Sequence, residues 1–205
     1  MNDSAPEAGR LPSATMTDSH SAGQNPTAGS TGPNPPAGSC SDIGLLVLRL
    51  GIGAAILQAG LMKVVDFSTT VQFMSDAGWR LPALAAFMVT ATETLSGVAL
   101  LLGVLTPLAG CAALGAMLCA WAVNVSGTAF WSEPFNVAFL LGLGAATLVF
   151  TGAGKHSVDG RILRRITWSG RVRMSLIVVA FAVAVITWMA LYGVNPIHFT
   201  APSGP

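Results

Sequence analysis

Residues 81–125 read LPALAAFMVTATETLSGVALLLGVLTPLAGCAALGAMLCAWAVNV, and this stretch decides the fold. It holds a single formal charge, Glu93, within two apolar segments at 82–105 and 108–125. A membrane-spanning helix needs about 17–25 apolar residues, and both segments fall in that range. Because only Thr106 and Pro107 separate them, the two helices must run antiparallel. The stretch therefore predicts a transmembrane hairpin.

The composition of the whole chain agrees with a lipid environment. Of its 205 residues, 52% are hydrophobic and 9% are charged, and the mean hydropathy is +0.64. Soluble domains carry about 25% charged residues. A net charge of +1 lacks the basic excess of a nucleic-acid binder, so no nucleic-acid partner is expected. Further apolar segments at 43–64, 134–151 and 175–193 bring the predicted spanning helices to five.

The other parts of the chain set the domain organisation. Residues 1–41 are rich in Pro, Gly, Ser, Thr and Ala, which predicts a disordered N-terminal tail. Residues 66–80 are too polar to span, and we expect a short interfacial helix there, with Trp79 at the level of the lipid headgroups. The domains are thus a tail at 1–41, a four-helix membrane domain at 42–165, and a basic linker, fifth helix and short tail at 166–205.

The basic residues predict the orientation of the helices. Most of them lie between the fourth and fifth segments: Lys155, Arg161, Arg164, Arg165, Arg171 and Arg173. The positive-inside rule places this connection in the cytoplasm. Counting back through the helices, we expect a multi-pass protein of the cell membrane with a cytoplasmic N-terminus and an extracytoplasmic C-terminus.

Charged residues inside the apolar segments are candidates for function, because each costs about 2.5–3.5 kcal/mol on insertion scales unless it is paired or hydrated. Arg49 lies within the first segment and Glu93 near the middle of the second. Their estimated depths differ by about 6–8 Å at 1.5 Å per residue, a gap that a long Arg side chain can span, so we expect them to pair. Such a pair can line a ligand pocket or can do no more than fix helix register, and the sequence leaves both readings open.

Other residues of the first segment accompany this pair. Arg49, Gly53, Gly60 and Lys63 share one helix face, where the glycines allow close approach by another helix. Lys63 lies at the outer end of that helix, and Gln58 is expected to supply hydrogen bonds in the same interior. The three cysteines form no CxxC pair, and no metal site is predicted.

Two polar residues are candidates for an outer vestibule. Asn124 ends the third segment, and Glu133 opens the fourth beside Pro134. A carboxylate at a helix start also complements the helix dipole without any further role. That second reading of Glu133 stays open.

Three motifs in order resemble the DoxX family. LRLGIG at 48–53, followed by QAGLMK at 58–63, resembles the RLGLG-like start and HGxxK-like element of the family's first helix. TETLSGVALLLG at 92–103 resembles the second helix, and GAGKHSVD at 152–159 resembles the family's GxGxxSxD element. The sequence departs from the family where Gln58-Ala59 replaces the His of the HGxxK-like element, and where the fifth helix is added to the four-helix unit.

DoxX proteins are membrane subunits similar to the DoxD component of thiosulfate:quinone oxidoreductase, so the resemblance implies quinone-linked chemistry or the anchoring of a redox partner. One hypothesis is a redox-associated subunit that acts with a cytoplasmic or membrane redox partner. Its catalytic residues are Arg49 and Glu93, and its residues for a quinone or small sulfur species are Lys63, Gln58, Asn124 and Glu133. The alternative is a non-enzymatic scaffold in the lipid bilayer that anchors a redox or envelope complex. The sequence leaves open whether the chain is an enzyme and whether it forms a homo-oligomer.

Overall fold

A computed structural model describes residues 37–127, 133–161 and 168–193, and nearly all of the predicted tail at 1–41 lies outside them. The described residues form seven helices: α1 (Ala37–Val65), α2 (Phe67–Asp76), α3 (Pro82–Leu102), α4 (Thr106–Gly127), α5 (Val137–Thr151), α6 (Val158–Arg161) and α7 (Gly170–Leu191). Helices α1, α3, α4 and α7 are long and apolar enough to cross a membrane. The predicted fold class, an all-α membrane bundle with an additional C-terminal helix, is confirmed.

Several helix boundaries differ from the sequence prediction. α1 begins at Ala37 instead of after Asp42, so Asp42 lies inside the helix, where its Oδ2 pairs with Nζ of Lys155 at 2.9 Å. α5 begins at Val137 because Asn136 accepts a hydrogen bond from the backbone of Phe139. The 15 residues of α5 extend about 22 Å at 1.5 Å per residue, less than the hydrocarbon thickness of about 30 Å.

The short helix expected between the first two spans is present as α2. Asp66 caps it by accepting a hydrogen bond from the backbone N–H of Thr69. This bond and one from the Ser68 hydroxyl lower the pKa of the exposed Asp66 carboxyl. The depth of α2 in the bilayer stays a prediction.

The tightest helix contact is between α1 and α3, where small residues bring the two backbones together. A Cβ added to Gly60 would lie 2.7 Å from the backbone nitrogen of Thr94, and one added to Gly97 would lie 2.7 Å from the backbone of Leu57. The two contacts fix the antiparallel register of α1 against α3. α4 packs against α3, α5 and α7, and α2 packs against α3.

Candidate functional site

Glu93 pairs with Lys63, so the predicted Arg49–Glu93 pair is wrong. Nζ of Lys63 lies 2.6 Å from Oε2 of Glu93, and it also donates to the carbonyl oxygen of Ala59 at 3.3 Å. The Glu93 side chain is 3% exposed and that of Lys63 is 28% exposed. The carboxylate is therefore buried with its counter-ion at the more accessible edge of the site.

The helix register explains why Lys63 reaches Glu93 and Arg49 does not. Because Gly60 lies beside Thr94, Lys63 and Glu93 lie within about one helical turn of each other. In the same register Arg49 lies opposite a residue about twelve positions beyond Glu93, a separation of about 18 Å at 1.5 Å per residue. An arginine side chain cannot span that distance.

Arg49 instead holds the loop that follows α5. Its side chain is buried, and Nη1 and Nη2 each donate a 2.6 Å hydrogen bond, to the carbonyl oxygens of Ala153 and His156 respectively. Two carbonyl acceptors on one guanidinium match the fork of donors that arginine presents. Arg49 is therefore a structural anchor for residues 153–156, about 21 Å along α1 from Lys63 at 1.5 Å per residue.

Asp159 completes this arrangement by capping α4. Its Oδ1 and Oδ2 accept the backbone N–H groups of Leu105 at 2.8 Å and Thr106 at 2.9 Å. Its own N–H donates to the carbonyl oxygen of Gly103 at 2.9 Å. Two N–H groups that the start of a helix leaves unpaired are thereby satisfied. We call Arg49, Gly103, Ser157 and Asp159 the loop clasp, and it gives a structural role to the GAGKHSVD motif.

Gly103 is the point where the parts of the loop clasp meet. Its φ is +67°, and an added Cβ would lie 2.5 Å from Nη1 of Arg49 and 2.6 Å from Cβ of Ser157. The Ser157 hydroxyl donates to the carbonyl oxygen of Gly154 at 2.7 Å and accepts the N–H of Gly160 at 2.9 Å. Sequence reasoning missed this cluster; the available signals were a buried Arg and a downstream Asp in a glycine-rich loop.

The Lys63–Glu93 pair forms part of the wall of a cavity of about 510 Å³ between α2, α3, α4 and α7. Such a volume falls within the range of small-molecule sites, about 300–1,000 Å³. Its wall is mostly apolar, and the polar or reactive side chains in it include Lys63, Trp79, Glu93, Cys119, Asn124 and Thr187. The cavity therefore joins a buried ion pair to a space of ligand size.

Only some of the other predicted site residues line this cavity. Asn124 lines it, as does Lys63. Gln58 does not, because it is about 140° around α1 from Lys63 at 3.6 residues per turn. It is exposed in an apolar groove with Leu57 and Leu61. Glu133 is exposed ahead of α5 and is not among the cavity residues. The expected placement of Gln58 beside Glu93 is thus wrong.

The fold and the cavity define a multi-pass integral membrane protein with a buried polar site. Residues 44–131 match the family model of DoxX, which confirms the resemblance over this part of the chain. No curated protein and no solved structure matches the chain. The match begins at Gly44, inside α1, includes α2 to α4, and ends before α5. The part of the cavity wall that α7 supplies therefore lies outside the match.

Proposed function

We propose that this protein is a membrane subunit that binds the head group of a quinone in the cavity beside Lys63 and Glu93, as part of redox chemistry shared with a partner protein. The observation that carries the proposal is a salt-bridged Lys–Glu pair in the wall of an otherwise largely apolar cavity. Ionisable residues within membrane spans are expensive, and they commonly mark functional sites.

The charge balance of the cavity favours a neutral ligand. Among the described residues that line it, Lys63 and Glu93 are the only charged ones, and their charges cancel. A sulfur anion such as thiosulfate would enter an apolar space with no unneutralised cation, at a large desolvation cost. A quinone ring is neutral, flat and apolar, with two carbonyl oxygens as hydrogen-bond acceptors. We therefore favour the quinone over the small sulfur species.

The donors of Lys63 suit such a carbonyl. An ammonium group has three N–H donors, and Glu93 and Ala59 take two of them. The third has no acceptor among the residues that the structure describes, so an acceptor on the ligand can take it. Reduction of a quinone to a quinol consumes two electrons and two protons. The electrons come from the redox partner, either in the cytoplasm or in the membrane. Both protons come from water, and we assign Glu93 to relay them one after the other, returning to the carboxylate form after each transfer. Arg49 has no part in this chemistry.

Equilibrium binding tests the proposal. The purified full chain in lipid nanodiscs is titrated calorimetrically with a short-chain alkyl benzoquinone. Lys63→Met should weaken binding at least about tenfold, since a hydrogen bond from a charged donor contributes about 1.5–3 kcal/mol. Glu93→Gln provides a second variant that keeps the size of the side chain.

Lys155→Met is the matched control. Its ammonium pairs with Asp42, but the side chain is 76% exposed and lies outside the cavity. The Lys155→Met variant should bind the quinone with the affinity of the wild type. Absence of binding in the wild type, or equal binding by Lys63→Met and Lys155→Met in folded protein, would show the proposal to be wrong.

The scaffold alternative has its own supporting observation. Lys155, Arg161 and Arg171 are exposed at the loop end of the bundle, where they suit an acidic partner or anionic lipids. If native membranes yield a partner that is lost with Lys155→Glu/Arg161→Glu while no quinone binds, the scaffold reading replaces the quinone proposal.

We also propose that this basic end faces the cytoplasm in the cell membrane, which places the N-terminus there and the C-terminus outside. An alkaline phosphatase fusion after Pro205 should then be active. An inactive phosphatase, together with fluorescence from a cytoplasmic reporter fused at the same position, would show that the protein has the opposite orientation.

A further inference from the structure

The indole of Trp79 is a buried donor in the cavity wall. The residue is 7% exposed, and its Nε1–H has no hydrogen-bond partner among the described residues. An indole nitrogen can only donate. Leaving a buried donor unpaired costs about 1–3 kcal/mol, so an acceptor supplied by a ligand would recover that loss.

The end of α7 holds Trp79 in place. The backbone N–H of Arg80 donates to the carbonyl oxygen of Leu191 at 2.7 Å, and the N–H of Gly193 donates to that of Gly78 at 2.9 Å. The ring of Trp79 contacts Tyr192 edge to face, with centroids 5.2 Å apart. The residues on both sides of Trp79 are therefore hydrogen-bonded to the end of α7 and to the residue two positions beyond it, all outside the matched DoxX region.

We propose that Nε1–H of Trp79 is a second hydrogen-bond donor for the cavity ligand, and that α7 positions it. The inference rests on the proposed function and specifies the ligand further, as a neutral molecule with two acceptor oxygens. Lys63 donates to one oxygen and Trp79 donates to the other. A quinone meets this requirement through its two ring carbonyls, whereas a molecule with a single carbonyl uses Lys63 alone, because a charged donor makes the stronger bond.

The chain offers a matched control in Trp188. Its Nε1 is also buried without a partner among the described residues, and its ring stacks on Tyr192 with centroids 5.9 Å apart. It is not among the residues that line the cavity. Substituting Trp188 therefore disturbs the same aromatic cluster without removing a donor from the site.

Calorimetric titrations of nanodisc-embedded wild type, Trp79→Phe and Trp188→Phe test the proposal. The ligands are a short-chain alkyl benzoquinone and a cyclohexenone with the same alkyl chain, which has one carbonyl. Trp79→Phe should weaken the benzoquinone about tenfold and change cyclohexenone binding less than about twofold, as expected for the loss of one hydrogen bond. Trp188→Phe should leave both affinities at the wild-type value.

Three results would overturn the proposal: wild-type affinity for the benzoquinone in Trp79→Phe, an equal loss for both ligands, or an equal loss in Trp188→Phe. If the wild type binds neither ligand, the proposed function itself is wrong. If it binds both and Lys63→Met weakens both while Trp79→Phe weakens neither, only the present inference fails.

A second measurement follows the indole N–H signals of the wild type. The wild type labelled with 15N-tryptophan is titrated with the benzoquinone, and the signals of Trp79 and Trp188 are assigned from the spectra of Trp79→Phe and Trp188→Phe. The Trp79 signal should move downfield as an acceptor engages it, and the Trp188 signal should stay in place. Indole signals that all stay unchanged at saturating ligand would contradict the proposal.

Discussion

Replacing Lys63 by Met should destabilise the protein more than the same replacement of Lys155, the other lysine of the chain. Methionine keeps most of the volume of the side chain and removes the ammonium that pairs with Glu93 at 2.6 Å. The Glu93 side chain is 3% exposed, so burial withdraws the carboxylate from bulk water. The variant therefore leaves a charge buried without its counter-ion.

The exposure of the two side chains sets the magnitude. Breaking a buried ion pair costs about 3–5 kcal/mol, and we take the lower end, about 3 kcal/mol, because part of Lys63 is accessible. For a chain of this size each kcal/mol corresponds to about 2–4 °C in Tm, so the expected loss is roughly 6–12 °C. Lys155→Met removes an ion pair that is mostly exposed and should cost under about 1 kcal/mol.

The assay is thermal unfolding of the purified full chain in one detergent, followed by circular dichroism, with Lys63→Met, Glu93→Gln and the double variant. The double variant removes both charges and leaves neither one buried alone. Its loss of stability should therefore be smaller than the sum of the two single losses, by about 2 kcal/mol. Arg49→Gln combined with Glu93→Gln should be additive within about 0.5 kcal/mol, because the two residues do not touch.

The reasoning would be refuted if Lys63→Met and Lys155→Met lost the same stability. It would also be refuted if Arg49, and not Lys63, showed coupling to Glu93. The second result would restore the pair that the sequence predicts and would mean that the register of α1 against α3 is different.

Three further expectations concern the loop clasp, and thermal unfolding in the same detergent checks each. Arg49→Lys should cost about 2 kcal/mol, because one ammonium cannot reproduce two forked bonds to the loop carbonyls; a loss below about 0.5 kcal/mol would contradict the clasp. Asp159→Ala should cost about 1–2 kcal/mol through the lost cap of α4, and Asp159→Asn should lose less because it keeps one acceptor oxygen. Gly103→Ala should cost more than about 1 kcal/mol from its positive φ alone. Gly44→Ala, at an open position inside α1, is the control and should lose no stability.

Hydropathy made the helices of this protein predictable from the sequence. Long apolar runs and their breaks locate α1, α3, α4 and α7 because lipid exposure demands uninterrupted apolar helices. Helix ends were less accurate, since they depend on local caps such as Asn136 at α5. α1 begins at Ala37, so the helix extends into a polar segment that composition alone assigned to the tail.

The partners of the buried charges were not predictable in the same way. Glu93 and Lys63 were both identified as candidates, but their pairing depends on which residues of α1 and α3 touch, and that register is set by Gly60 and Gly97. Arg49 bonds to backbone carbonyls more than a hundred positions away, which no side-chain pattern reveals. The cavity depends on how α1, α2, α3, α4 and α7 meet in three dimensions, and so does the Trp79 indole, which has no hydrogen-bond partner among the described residues.

The most direct test of the central claim, that a quinone occupies the cavity beside Lys63 and Glu93, is photoaffinity labelling with an azidoquinone followed by peptide mapping. The account expects the label on α3, α4 and α7, at residues such as Met88, Cys119 and Thr187, and expects excess alkyl benzoquinone to remove it. Label that resists competition, or that lies in the outer groove of Leu57, Gln58 and Leu61, would contradict the account.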